Sequence, residues 1–193
     1  MIVKELNAPF VNMKEILRYA GSKEIEETVL DCLTEVGGSL SYKVCYEIVR
    51  VSVNDDIVDM SFACVHSKDL AKNLRGCDKA VIFAATVGTG IDRLIAKYNR
   101  ISPARALCLQ AIGSERVESL CDAFEDEIKK ETSNGEVFFR PRFSPGYGDL
   151  SLEIQKEIFS LLDCSRKIGI SLGDSLLMSP SKSVTAIIGF GKK

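Results

Sequence analysis

The hydrophobic and polar positions of the chain follow a helical period in some segments and a period of two in others. Residues 11–19 and 23–36 carry apolar side chains at helical spacing, and in the second segment Ile25, Val29 and Leu33 share one face. This spacing predicts two helices near the start of the chain. It predicts four more helices further on, at residues 68–73, 90–98, 103–130 and 152–162.

The period of two predicts strands between these helices. Residues 42–53 and 57–65 alternate apolar and polar side chains around the turn Asn54-Asp55-Asp56, a pattern typical of a β-hairpin. Residues 79–85 are almost wholly apolar, which indicates a central strand covered on both faces. Shorter extended segments are predicted at 168–172 and 184–189.

Strands and helices do not alternate regularly along this chain, so the pattern predicts an α+β fold. We expect a mostly antiparallel, twisted sheet flanked by helices. A chain of 193 residues suits one domain. We therefore predict a single domain over residues 1–193, with Ser133-Asn134-Gly135 closing the long helix.

Composition and charge exclude several classes of partner. The formal net charge is -2 and no run of Lys or Arg exceeds a pair, so we expect no nucleic-acid partner. We expect no membrane association either, because no segment reaches the roughly 18 apolar residues of a spanning helix. The seven cysteines form no C-x-x-C pair. Free cysteines in apolar surroundings suit a reducing compartment, so we predict a cytoplasmic protein.

Two features elsewhere in the chain favour structural roles. The turn Gly88-Thr89-Gly90 joins a predicted strand to a helix, the context in which a glycine-rich turn binds a phosphate. It lacks the third glycine and the Gly-Lys-Ser/Thr ending of such turns, which favours a tight connection. His66 is the only histidine, which excludes a histidine-based metal cluster and limits any nucleophile-base pair to this residue. We predict no metal site and assign no catalytic residue.

The richest group of candidate residues is the segment RFSPGYGD, residues 142–149. Arg142 can grip a carboxylate through two parallel hydrogen bonds. Gly146, after Pro145, lets the backbone approach a ligand closely, and the ring of Tyr147 can attract an ammonium or sulfonium group. The alternative is an ordinary Pro-Gly turn with the arginine paired to a nearby acid, and the local residues alone favour that alternative.

The wider sequence around this loop resembles a known family. Arg142-Phe-Ser-Pro-Gly-Tyr147 has the R-x-x-x-G-Y form of the S-adenosylmethionine-binding loop in the C-terminal activation domain of cobalamin-dependent methionine synthase. Downstream, residues 168–184 contain Ile-Gly-Ile-Ser-Leu and then Asp-Ser, Met-x-Pro and Ser-Val at the family's spacing. Several short motifs in fixed register are more specific than the loop alone.

The resemblance implies a methionine synthase activation domain-like fold that binds S-adenosylmethionine. In the family, cobalamin that has been oxidised during turnover is restored to methylcobalamin by one-electron reduction coupled to methyl transfer from this ligand. The domain would position the methyl group toward a corrinoid and supply no acid or base. The cobalamin itself would be carried by a partner.

The resemblance also assigns ligand-binding residues. Arg142 would bind the carboxylate of S-adenosylmethionine, and two acidic side chains would face its cationic groups. Ser144 stands where the family commonly has alanine, so its contacts would come from the backbone. The residues assigned in this way are Glu118, Glu136, Arg142, Ser144, Gly146 and Tyr147.

The chain also departs from the family. Gly148 replaces the proline that often follows the tyrosine, the family's N-terminal aspartate has no clear counterpart, and the chain ends at Lys193 before a further family tyrosine. It has no Asp-x-His-x-x-Gly cobalt-ligand motif and no homocysteine or folate module. We therefore expect an accessory activation protein that docks on a separate cobalamin-carrying methionine synthase, with a flavodoxin or ferredoxin as reductant.

Two other functions are kept as alternatives. The chain could serve another corrinoid methyltransferase as a structural or regulatory subunit that makes no productive use of S-adenosylmethionine. It could also be an independent methyltransferase that binds the nucleotide at Gly88-Thr89-Gly90, the least favoured of the three hypotheses.

Overall fold

A five-stranded antiparallel sheet forms the centre of the fold. The computed structural model describes residues 1–22, 24–132 and 137–192. The strands of this sheet lie in the order β1-β2-β6-β10-β7, and each neighbouring pair is antiparallel. Their bounds are Ile2–Glu5 (β1), Lys43–Arg50 (β2), Lys79–Thr86 (β6), Val137–Phe139 (β7) and Ser183–Lys192 (β10).

The apolar strand β6 lies in the middle of this sheet and is buried from Ala80 to Thr86. Its alternate residues enter two different cores: Val81 and Phe83 pack on one face of the sheet, Ala80 and Ile82 on the other. The side-chain period of a strand explains this division, because successive side chains point to opposite faces. The prediction of a central strand covered on both faces is confirmed.

In the described part of the chain, four helices cover one face of the sheet. Phe124 lies at the centre of this layer, with its ring centroid 4.9 Å from that of Phe83 and 5.2 Å from that of Tyr46. Tilted aromatic pairs at these separations add to the stability that burial gives. The helices are Met13–Ala20 (α1), Glu26–Val36 (α2), Gly90–Tyr98 (α4) and Pro103–Thr132 (α5), and a short 3₁₀ helix at Gly37–Ser39 follows α2.

The opposite face is covered by shorter elements. Apolar residues of three helices and a small antiparallel sheet, in the order β3-β4-β5, pack on it. The helices are Lys68–Asn73 (α3), Gln155–Leu162 (α6, after a 3₁₀ turn at Leu152–Ile154) and Cys164–Ile168 (α7). The strands are Ser52–Asn54 (β3), Ile57–Asp59 (β4) and Cys64–His66 (β5), and a separate pair joins Ser171–Leu172 (β8) to Met178–Ser179 (β9).

The predicted α+β class and antiparallel sheet are confirmed, and α3 and α4 have the predicted bounds. The hairpin prediction is correct only for β3 and β4, which pair across the turn at Asp55 and Asp56. Residues 42–53 are two strands: β2 belongs to the central sheet and ends at Arg50, after which β3 starts the small sheet. Residues 57–65 are interrupted at Ser61, whose φ is 68°.

The predicted end of the long helix at 133–135 lies outside the described residues. In the ranges that the structure does describe, no helix combines the length and apolar character needed to cross a membrane.

Candidate functional site

The loop at residues 142–149 is fixed to the central sheet by its main chain. Phe143 forms an antiparallel bridge with Ile187 of β10, with hydrogen bonds of 2.8 and 2.9 Å in the two directions. The chain then turns: the Tyr147 amide donates to the Ser144 carbonyl at 3.1 Å, and the Gly146 amide donates to the Leu150 carbonyl at 2.9 Å. The loop is therefore an ordered turn anchored on a buried strand.

The far end of the loop is fixed to helix α3 by Asp149. Its carboxylate accepts hydrogen bonds from the main-chain amides of Lys68 and Asp69, at 2.8 and 3.2 Å, and from the Ser67 hydroxyl. The hydrogen bond from Ser67, reinforced by the two amides, lowers the pKa of Asp149 below its ordinary value. Both ends of the loop are thus attached to the body of the protein.

Arg142 connects the loop to the long helix α5. Its guanidinium donates to Glu118 at 2.6 Å, to Asp122 at 2.6 Å and to Glu125 at 2.5 Å. These acids share one face of α5, since residues separated by about one or two turns lie above one another. Burial of the guanidinium disfavours its charge, but hydrogen bonds to Asp122 and Glu125 outweigh this effect and raise the pKa of Arg142.

A cavity of about 660 Å³ lies where the loop, α5 and β10 meet. Four residues assigned from the sequence line it: Glu118, Arg142, Ser144 and Tyr147. Tyr147 is 68% exposed, at the edge of the cavity. The sequence therefore identified residues from two distant segments that lie around one space.

Of the other two assigned residues, only Gly146 can be placed, and it is not among the lining residues. Glu136 lies outside the described residues. Gly146 has a φ of 88°, and a Cβ added to it would lie 3.0 Å from the Leu152 side chain. Its missing side chain thus allows the turn to form and lets Leu152, which does line the cavity, pack against the loop.

An apolar part of the cavity lining is not predicted by the sequence. Leu152, Leu176, Leu177 and Met178 give it an apolar surface. Gln155, the first residue of α6, lies among them and is only 4% exposed. Met178 and its neighbours lie in the motif region on which the resemblance rests. Gln155 could not be predicted as a lining residue, because a single glutamine at the start of a helix forms no recognisable sequence pattern.

The turn Gly88-Thr89-Gly90 is a tight connection between β6 and α4. A Cβ on Gly88 would lie 2.5 Å from the Ser41 hydroxyl oxygen, and one on Gly90 would lie 2.1 Å from the Ser39 carbonyl oxygen. The glycines are therefore needed for close packing against the segment after α2, as the structural interpretation predicted.

His66 is at the surface, away from the cavity. Its side chain is 71% exposed and its Nε2 is 3.5 Å from an Asp56 carboxylate oxygen. The residues that line the 660 Å³ cavity do not include it.

The fold and the cavity together define an α+β domain with a ligand-sized site between a helix and an ordered loop. Residues 65–193 match the family described as vitamin B12 dependent methionine synthase, activation domain, and the chain belongs to this family. The resemblance inferred from the loop motifs is thus confirmed.

A solved structure supports the same fold. A crystal structure of the MetH reactivation domain bound to AdoHcy superposes with a TM-score of 0.67, at 13% sequence identity, over 98% of this chain and 78% of that chain. A search of curated proteins gave no match.

Proposed function

We propose that this protein binds S-adenosylmethionine in the cavity beside α5 and supports reductive remethylation of cobalamin carried by a separate methionine synthase. The observation that carries the proposal is the convergence of Glu118, Arg142, Ser144 and Tyr147 around one cavity. Its volume, about 660 Å³, is within the range of about 300–1,000 Å³ common for small-molecule sites.

The charges around the cavity suit the methionine end of this ligand. A guanidinium has five N–H donors, and the three hydrogen bonds described for Arg142 leave donors for a ligand carboxylate. The Glu118 side chain is 41% exposed and offers a negative charge to the ammonium or sulfonium group. The exposed ring of Tyr147 offers a second surface for a cation.

The protein's own part in the reaction would be to bind and orient. S-adenosylmethionine would supply the methyl group of its sulfonium and leave as S-adenosylhomocysteine. The partner's cobalamin, after taking one electron from a flavodoxin- or ferredoxin-type reductant, would accept that methyl group. Holding the ligand in one orientation lowers the entropic part of the barrier. The exposed side chains of Tyr147 and Leu177 at the cavity give a partner an apolar surface next to the ligand.

Calorimetric titration of S-adenosylmethionine tests the proposal. Arg142→Ala should weaken binding about tenfold or more, because hydrogen bonds to charged groups contribute about 1.5–3 kcal/mol. Arg142→Lys should bind with intermediate affinity, since it keeps the charge without the planar fork.

Arg140→Ala is the matched control. Its guanidinium donates to the Arg75 carbonyl at 2.7 Å and lies 5.0 Å from the Phe138 ring centroid, and it does not line this cavity. Circular dichroism melts should show that each variant is folded. Equal affinities of the wild type, Arg140→Ala and folded Arg142→Ala would refute the proposed binding mode.

The pairing of Arg142 with three carboxylates favours one alternative, a structural or regulatory subunit of another corrinoid methyltransferase. In that case the arginine would serve to fix the loop on α5. Tight binding to a purified corrinoid protein, without measurable binding of S-adenosylmethionine by either the free or the bound protein, would select this alternative.

A further inference from the structure

Gln155 is a buried polar residue that has no part in binding the methionine end of the ligand. It is 4% exposed and lies in the lining of the 660 Å³ cavity. Its Nε2 donates to the Leu176 carbonyl at 3.4 Å. Its Oε1 is buried and has no hydrogen-bond partner among residues 1–22, 24–132 and 137–192.

The single hydrogen bond of this amide determines what Gln155 can bind. The nitrogen and oxygen of a glutamine amide are told apart by their hydrogen-bond partners. A carbonyl oxygen accepts hydrogen bonds, so its partner must be the amide nitrogen, which is the only donor of the side chain. The Leu176 carbonyl therefore fixes Nε2 on its own side and leaves Oε1 as a hydrogen-bond acceptor. A buried acceptor without a donor is costly. Because protein atoms cover Oε1, a ligand gains affinity here when its N–H or O–H group displaces that cover and reaches Oε1.

The surroundings of Gln155 favour a flat, largely apolar group with one donor. Leu152, Leu176, Leu177 and Met178 are apolar members of the lining, and Gln155 is hydrogen-bonded to the main chain of Leu176. The charged members Glu118 and Arg142 belong to α5 and the loop. Apolar walls with one polar group that sets orientation are typical of sites for aromatic ligands. An adenine ring fits this description, because its exocyclic amine donates hydrogen bonds from one edge.

We propose that Gln155 is a specificity-determining residue that accepts a hydrogen bond from the exocyclic amine of adenine. The inference rests on the proposed function, since it concerns the nucleoside end of the same ligand. It separates the cavity into two parts, with the amino acid end at Glu118 and Arg142 and the base at Gln155. It also predicts discrimination against bases that carry a carbonyl oxygen at the position of the amine.

Titrations with two nucleosides test this assignment. The ligands are S-adenosylhomocysteine and S-inosylhomocysteine, which differ at the base, where inosine has a carbonyl oxygen in place of the amine. The wild type should bind the adenosine form at least about tenfold more tightly, because two acceptors facing each other leave Oε1 unpaired. Gln155→Leu should reduce this preference to about threefold or less, since it removes the acceptor at similar volume.

The matched control is Gln110→Leu, at an exposed position of α5 outside the cavity lining, which should keep the wild-type preference. Thermal melts establish that both variants are folded. Gln155→Met provides a second apolar replacement with the same expected loss of preference.

The outcomes separate this inference from the proposed function. Equal binding of both nucleosides by the wild type overturns the role of Gln155, whatever its variants do, and leaves the ligand class intact. A folded Gln155→Leu that loses affinity for both ligands in the same ratio also overturns it, because the residue would then act on the ribose or on packing. If the wild type binds neither S-adenosylmethionine nor S-adenosylhomocysteine, both the inference and the proposed function fail.

Discussion

Gly148 shows how a single residue sets the path of the candidate binding loop. Its φ is 53°, and a Cβ at this position would lie 2.2 Å from an Asp69 carboxylate oxygen and 3.0 Å from the Asp69 Cβ. Proline, whose φ is fixed near −65°, cannot adopt this conformation. Gly148, at the position where the resemblance implies a proline, is therefore required by the turn that joins Tyr147 to Asp149 in this protein.

Replacing Gly148 should destabilise the protein through the backbone. Gly148→Ala places a side chain in the left-handed region and against Asp69, so we expect a loss of about 1–3 kcal/mol in the free energy of unfolding. The measurement is urea denaturation followed by circular dichroism.

Gly38→Ala is the control for this variant. A Cβ at Gly38 meets nothing within 4 Å, and its φ is not in the left-handed region. This variant should be neutral or slightly stabilising, because alanine reduces the freedom of the unfolded chain. Similar unfolding midpoints for the two variants would contradict the argument.

At the scale of elements, Asp149 joins the candidate loop to the start of α3. Ser67 accepts a hydrogen bond from the Leu70 amide at 3.1 Å and donates its hydroxyl to Asp149, which also accepts from the Lys68 and Asp69 amides. A negative charge at a helix N-terminus satisfies amides that lack partners within the helix. The helix start and the loop should therefore respond together to the charge of Asp149.

The lowered pKa of Asp149 gives this connection a defined pH dependence. A carboxyl whose pKa is lower in the folded than in the unfolded protein stabilises the fold above its unfolded pKa, and that stability is lost as the pH falls through its folded pKa. Asp149→Asn should therefore melt at a lower temperature than the wild type at pH 7, and the difference should shrink as the pH falls below the ordinary value of 3.8.

Asp126→Asn serves as the control, since Asp126 is an exposed carboxylate on α5 with no hydrogen bond among those the structure describes. The melting temperature of this variant should stay close to that of the wild type at both pH 7 and pH 3. A difference between Asp149→Asn and the wild type that is constant from pH 7 to pH 3 would show that charge is not the cause.

Elements with strong local signals could be predicted from the sequence, and elements defined by distant partners could not. The bounds of α3 and α4 follow from apolar spacing and nearby glycines. The edge strands β1 and β7 are short and contain no buried residue, and pairing with β2 and β10 makes them strands. Local patterns also cannot show where β2 ends, because the Val51 amide donates to the carbonyl of Asp78, far along the chain.

The same distinction applies to the candidate site. The loop motif identified Arg142, Ser144 and Tyr147 because their order and spacing are local properties. The pairing of Arg142 with Asp122 and Glu125 depends on the packing of the loop against α5, which no local spacing encodes. Gln155 becomes notable only through its burial and its unpaired oxygen, both of which are tertiary properties.

At the scale of the whole molecule, the family match and the fold cover different parts of the chain. The match spans residues 65–193 and begins inside β5. The residues before it contribute β1, β2, α1 and α2 to the fold. Contacts tie this N-terminal part to the rest: Arg116 of α5 is 3% exposed and donates to the carbonyls of Pro9 and Phe10 at 2.7 and 2.6 Å.

We predict that residues 65–193 alone will not fold cooperatively and that the full chain will. The pairing of β2 with β6 runs from Lys43 opposite Thr86 to Arg50 opposite Lys79, so truncation leaves the central strand with an open edge along its whole length. It also removes Val44 and Tyr46 from the core that surrounds Phe124. Open, apolar strand edges pair with other chains, so the fragment should aggregate or bind hydrophobic dyes.

Urea denaturation and near-ultraviolet circular dichroism of the full chain and of the 65–193 fragment test this prediction, with a mixture of the 1–64 and 65–193 fragments as the control. Recovery of a cooperative transition only in the mixture would indicate that the N-terminal part completes the fold. A sharp, reversible transition of the 65–193 fragment alone would show that the matched region is a domain by itself. In that case the assignment of residues 1–193 to one cooperative domain would be wrong, since cooperative unfolding of a part requires a core independent of the remainder.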